Sequence, residues 1–166
     1  SSDLKGHIIS FDPNYRSALI TNTEQFSQDC LTFIKHAHFV KVSQEEATML
    51  SKESDLQQAA LKLLNYGAKV VAITLGKDGT LLATNEGQTI VSSISIQQVD
   101  TTGAGDAFIG AIIYCILESR HSECKDLFKE KGKDILAFSN RVAALTTTKH
   151  GAIESLPTKE YIKDYY

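Results

Sequence analysis

At 166 residues, 42% hydrophobic and 22% charged, the chain has the size and composition of one globular domain, 1–166, able to bury a core without staples. A formal net charge of -3 gives no footprint for nucleic acid, and no apolar run approaches the ~20 residues of a membrane span. The three cysteines (Cys30, Cys115, Cys124) are irregularly spaced and suggest neither a disulfide framework nor a zinc site. With the polar start Ser1–Lys5, this leads us to expect no signal peptide and a reducing, cytoplasmic setting.

In chain order, His7–Phe11 is an apolar run that stops at the turn signal Asp12-Pro13-Asn14 and predicts a strand. From Thr23, a candidate N-cap, the residues Phe26, Cys30, Phe33 and Ile34 recur at helical spacing. Phe39–Val42 predicts a second strand. Ser43 and Glu46 then form a capping-box pattern at the start of the next helix. A further helix over about Asp55–Asn65 should end at Gly67.

The β-branched run Lys69–Leu75 has the character of a buried parallel strand. Gly76-Lys77-Asp78-Gly79 predicts a tight hairpin turn into Thr80–Thr84, and Thr89–Val99 one or two more strands. Helices are expected from Gly105 through Leu117, from about Asp134 to Thr147, and over Thr158–Tyr165. Strands separated by helices imply an α/β fold with a largely parallel sheet and an antiparallel edge hairpin. Ligands of such sheets sit beyond the carboxyl ends of the strands.

The most informative segment is Asp100-Thr101-Thr102-Gly103-Ala104-Gly105-Asp106-Ala107-Phe108. Its glycines allow close backbone approach, and the first N–H groups of the following helix lack internal acceptors, so this is an anion site in prospect. A carboxylate at Asp106 would repel an anion, yet it suits a general base beside a hydroxyl that attacks a phosphoryl group. A simple helix cap is the alternative. A dinucleotide-binding loop fits only in part, because Phe108 stands where Gly or Ala is needed, and no Walker lysine follows.

The same nine residues resemble the C-terminal signature of the PfkB (ribokinase-like) carbohydrate kinases. Four more segments match in order. Phe11–Arg16 is similar to the Asp-Pro-Asn-x-Arg segment of fructokinases and 2-keto-3-deoxygluconate kinases, and Val40–Glu46 to their strand-to-helix segment. Thr74–Gly79 resembles the nucleotide-binding turn, and Asn140 with Thr148–Ala152 the segment closing the adenine pocket.

The resemblance implies a three-layer Rossmann-like core with helices on both faces, and ATP-dependent phosphorylation of a sugar hydroxyl with Mg²⁺. It implies Asp106 as the catalytic base and Gly103, Ala104 and Gly105 as the anion hole. Thr74, Gly76, Gly79 and Asn140 would line the nucleotide site. Asn14 and Arg16 would bind substrate or phosphate, for which the planar Arg fork is suited. Glu46 would organise Mg²⁺ through water, although Ser43 stands where the family motif has Asn, and a plain capping box is the competing reading. Asp100 and Thr102 fall where relatives hold a monovalent cation such as K⁺. The partners implied are a small sugar and ATP, without nucleic acid or membrane, and a homodimer for the full-length protein. Relatives are longer, so the chain corresponds to the C-terminal, nucleotide-binding portion of such a kinase. A non-catalytic nucleotide-binding or assembly module is the competing function, and a dinucleotide-binding domain a weaker one.

Overall fold

The computed structural model describes residues 7–119, 121 and 123–163. Five strands form one sheet in the order β1-β2-β3-β4-β5 (Ser10–Phe11, Phe39–Ser43, Val70–Thr74, Thr80–Thr84, Gly87–Val91). The first three pair in parallel, then β3–β4 and β4–β5 pair antiparallel, so β4 alone runs against the other strands. The largely parallel sheet with an antiparallel edge is therefore present.

Alternation along the strands makes the three layers. Val40, Val42, Val71, Ile73, Leu81 and Ala83 point to one side. There they pack on α1 (Thr23–Ile34), α2 (Gln44–Ser51) and α3 (Leu56–Tyr66). Phe39, Val70, Ala72 and Leu82 point to the other, against α4 (Ala104–Glu118) and α5 (Cys124–Thr146). Phe39 stacks on Phe128 with ring centroids 5.1 Å apart. A short α6 (Lys159–Lys163) adds Ile162 to a smaller cluster with α4 and α5. Burial lifts the thiols of Cys30 to about 11 and Cys124 to about 12, so neither is a ready nucleophile at neutral pH.

The capping box is formed as predicted: Ser43 Oγ accepts from Glu46 N at 3.2 Å, and Glu46 Oε2 accepts from Ser43 N at 2.7 Å. Asp55 caps α3, which ends at Gly67. Several expectations shift. The N-cap of α1 is Asn22, whose Oδ1 accepts from Gln25 N at 2.9 Å, and Thr23 is the first helical residue. Only Ser10–Phe11 of the first run pairs as a strand. Gly76–Asp78 is a 3-10 turn. Beyond Val91 the chain leaves the sheet, because Val91 opposes Thr80, the first residue of β4. Ile94 and Ile96 therefore belong to a loop. Helix α5 starts at Cys124, ten residues before the expected start at Asp134. Its first turns carry so many lysines that their buried stripe, Leu127, Phe128 and Gly132, is easily overlooked. Gly132 brings α5 close to the sheet, since a Cβ there would lie 2.8 Å from Leu82 Cδ2. The expected end of the last helix at Tyr165 and the polar start Ser1–Lys5 lie outside the described residues.

Candidate active site

Three parallel strands deliver their carboxyl ends to one edge of the sheet. Strand β1 hands over to Asp12–Arg16, β2 to the Ser43–Glu46 cap, and β3 to the Gly76 turn. The start of α4 lies over the same edge, because a Cβ on Gly105 would stand 3.1 Å from Nζ of Lys41 on β2.

The α4 start has the geometry of an anion site. Gly103 is its N-cap at φ +80, a left-handed conformation that glycine adopts without steric cost. A Cβ there would also meet Cβ of Ala152 at 2.7 Å. The Ala104 N–H turns back to the Thr101 carbonyl at 3.2 Å. Among the described residues, the N–H groups of Gly103, Gly105 and Asp106 have no acceptor, so these three are the open donors. Asp106 sits in the first turn with an exposed side chain.

This turn divides two concavities. One, of about 590 Å³, gathers Thr74, Gly76, Gly79, Ala104, Gly105 and Asn140. The other, of about 420 Å³ and mainly apolar, is lined by Gly103, Asp106, Gly110, Tyr114 and Ala152. The residues expected to bind a nucleotide thus share one cavity, and the expected base faces the neighbouring one. The loop after β5 also supplies Ser93, Ile94 and Ile96 to the larger cavity. Ile94 and Ile96 carry a strand-like alternation that conceals this role.

Asn140 lines that cavity, yet its amide is engaged within the protein. It accepts from Thr80 Oγ1 at 2.6 Å and donates to the Val91 carbonyl at 2.9 Å. It therefore ties α5 to the β4–β5 edge and shapes the wall. Thr74 closes β3, with its hydroxyl 3.4 Å from the Val42 carbonyl.

Asn14 has φ +51 and, like Arg16, is exposed outside both concavities. Their loop is held by Glu46, whose Oε1 accepts from Tyr15 N at 2.6 Å. Both oxygens of this buried carboxylate thus accept backbone N–H groups. Among the described residues, no cluster of three His, Cys, Asp or Glu side chains could hold a metal. Mg²⁺ commonly takes only one or two carboxylates, with phosphates and water as its other ligands. Glu46 could serve it only through its remaining lone pairs or through water.

Asp100 joins two loops. Oδ1 accepts from Thr102 N at 2.9 Å and Oδ2 from Gly151 N at 3.1 Å. The side chain and backbone of Thr102, then Gly151, hold the Asp100 carboxyl down at about 2. A depressed carboxylate stabilises the fold above its unfolded pKa and loses that contribution as pH falls through its folded value. The stability difference between the native protein and Asp100→Asn, followed by thermal melts, should hold from pH 7 to pH 5. It should shrink between about pH 4 and pH 2.

A pair absent from the motif reading lies between these parts. Lys41 Nζ and Asp12 Oδ2 are 3.0 Å apart, with side chains only 10% and 16% exposed. Burial pushes the Asp12 carboxyl up and the Lys41 ammonium pulls it down, with burial the larger influence. The signal in the sequence was a lysine inside an apolar strand.

Residues 3–159 match the model of the pfkB family of carbohydrate kinases. The chain belongs to that family. It is 37% identical to fructokinase-1 of Zea mays over 155 residues, which cover 93% of this chain and 47% of that protein. Aminoimidazole riboside kinase from Salmonella enterica, solved with aminoimidazole riboside and an ATP analog, superposes with a TM-score of 0.82 at 30% identity. That match covers 95% of this chain and 52% of the other. A fructokinase double mutant from Vibrio cholerae O395, solved with fructose, ADP and potassium ion, gives 0.86 at 28% identity, over 95% of this chain and 50% of the other. The chain spans about half the length of most relatives it matches, and 72% of putative fructokinase-8 of Arabidopsis thaliana, to which it is 32% identical. Among the described residues, no helix is long and apolar enough to cross a membrane.

Proposed function

We propose that this chain is the nucleotide-binding, C-terminal portion of an ATP-dependent sugar kinase, with fructose the leading acceptor. The observation that carries the reading is the α4 start. It sets three open N–H donors and the Asp106 carboxylate on a turn between a nucleotide-sized cavity and a second cleft. ATP would occupy the larger cavity, with its terminal phosphate at the Gly103–Gly105 turn. Asp106 would take the proton of the attacking sugar hydroxyl, and the Gly105 and Asp106 N–H groups would stabilise charge on the transferring phosphoryl group. Mg²⁺, when bound, would neutralise phosphate charge, with Glu46 contributing through water. Asn14 and Arg16, on the loop that Glu46 holds, would bind the acceptor or the phosphates. Asp100 and Thr102, with the Gly151 loop, would frame a K⁺ site.

Phosphoryl transfer requires water to be excluded and the acceptor to be held. Asp106 opens on the smaller cleft and not on the larger cavity, which favours a second reading, nucleotide binding without transfer. Calorimetry on the 166-residue chain separates the two. Mg·ATP should bind at one site per chain, and fructose with ATP should show whether sugar phosphate forms. Absence of ATP binding would remove the nucleotide site from both readings.

A further inference from the structure

The wall of the larger cavity has an apolar part, made by Ile94, Ile96, Phe108, Ala143 and Ala144. Its polar side chains divide into those fixed by strands and helices and those carried on turns and loops.

The fixed ones direct their hydrogens into the protein. Asn140 is only 5% exposed. Its amide nitrogen donates to the Val91 carbonyl at 2.9 Å and, more weakly, to that of Ser92 at 3.5 Å. The Thr80 hydroxyl donates to Asn140 Oδ1 at 2.6 Å. The Thr147 hydroxyl donates to the Ala144 carbonyl at 2.7 Å, and that of Thr74 to the Val42 carbonyl at 3.4 Å. Together these four side chains offer a ligand lone pairs and no spare hydrogen.

The other polar side chains of the wall are Lys77, Asp78, Ser93, Ser95, Gln98 and Thr101. All stand on turns or loops, and all but the half-buried Ser93 are exposed. Among the described residues, the loop from Ser93 to Gln98 makes no backbone hydrogen bond of its own. Donors on such a segment are not held in a preset direction. Ordering them on a ligand costs conformational entropy, which offsets much of what one hydrogen bond yields.

This division bears on which base the cavity accepts. Adenine carries an amino group where guanine and hypoxanthine carry a carbonyl oxygen. A site that separates them by large factors needs preset polar groups, which the wrong base leaves buried and unpaired. An apolar pocket discriminates far less among ligands of like shape.

We propose that the larger cavity holds a purine base by shape and apolar contact, without reading its hydrogen-bonding edge, so that its ligands are the purine nucleoside triphosphates as a class. The inference rests on the nucleotide reading above and widens the phosphate donor from ATP to that class.

Calorimetry on the native chain with Mg·ATP, Mg·GTP, Mg·ITP and Mg·UTP tests it. The triphosphate is common to all four, so its contribution cancels in the affinity ratios. GTP and ITP should bind within about 100-fold of ATP, roughly the most that an apolar pocket separates ligands of like shape. UTP should be weaker than all three purines, because its smaller ring buries less apolar surface. A preference for ATP over both GTP and ITP beyond that factor would mean that a polar group reads the base edge, and would overturn the proposal. UTP binding as tightly as the purines would overturn it too, since the base would then lie outside the cavity. A chain that binds none of the four would overturn the nucleotide reading itself, a result distinct from the other two.

Discussion

Asp106→Asn is expected to lower sugar phosphorylation by the complete kinase by roughly 100- to 10,000-fold, the usual contribution of a positioned general base. Mg·ATP binding to the chain should survive. The side chain faces the smaller cleft, while the cavity assigned to the nucleotide is lined by other residues. The substitution leaves shape and backbone donors in place and removes the proton acceptor. The loss should fall on kcat, with little change in the KM for ATP. A coupled assay for sugar phosphate, with calorimetry for ATP, measures both. Turnover unchanged in the variant would return Asp106 to the role of a helix cap. The exposure of Asp106 is consistent with either role, so the kinetic result decides between them.

Gly79→Ala should have the largest effect on stability. Gly79 has φ +108, where an L side chain is strained, and a Cβ would lie 2.1 Å from the Val91 carbonyl oxygen and 2.8 Å from Cα of Ser92. The obstacle is backbone, so no rotamer change relieves it. The loss should be about 3 kcal/mol or more, as expected where strain and overpacking combine. For a domain of this size that is roughly a 10 °C fall in melting temperature. ATP binding should weaken too, since Gly79 lines the larger cavity and the chain it would push against leads to Ser93 and Ile94 in the same wall. Gly76→Ala is the control. Gly76 has φ +62 and nothing within 4 Å of its Cβ position. Its cost should be that of a left-handed residue alone, about 1 kcal/mol. Equal melting temperatures for the two variants would show that the backbone around Gly79 relaxes and that its closeness matters little.

The parts legible in the sequence are those with local causes. The capping box at Ser43 and Glu46 is a pattern of four residues that closes on itself, and both of its hydrogen bonds form. The strand Val70–Thr74 and the α3 helix with its Asp55 cap and Gly67 stop follow from periodicity and end chemistry. The alternation of strands and helices set the layered class. The glycine turn before Asp106 announced a helix start with spare donors, because Gly103 must be left-handed and the next N–H groups come too early to bond within the helix. Where the sequence misled, the decisive partner lay far along the chain. Ile94 and Ile96 alternate like a strand, but among the described residues no further strand lies beyond β5 for them to pair with. The lysine-rich start of α5 lies ahead of the helix expected from Asp134, yet its apolar stripe packs on Leu82 through Gly132.

The sequence by itself determined the fold class, the order of its elements and the kinase-like signature, since each arises from residues close together in the chain. Tertiary structure decided what those residues face. It placed Asp106 on the smaller cleft and Thr74, Gly76, Gly79 and Asn140 on the larger cavity. It engaged both oxygens of Glu46 and the amide of Asn140 within the protein. It also carried Lys41 from the middle of a strand to the foot of α4. Local sequence specifies backbone conformation and burial period. The partner of a buried charge is set by packing between elements distant in sequence, here Asp12 after β1 and Gly105 on α4, and no spacing in the chain encodes that meeting.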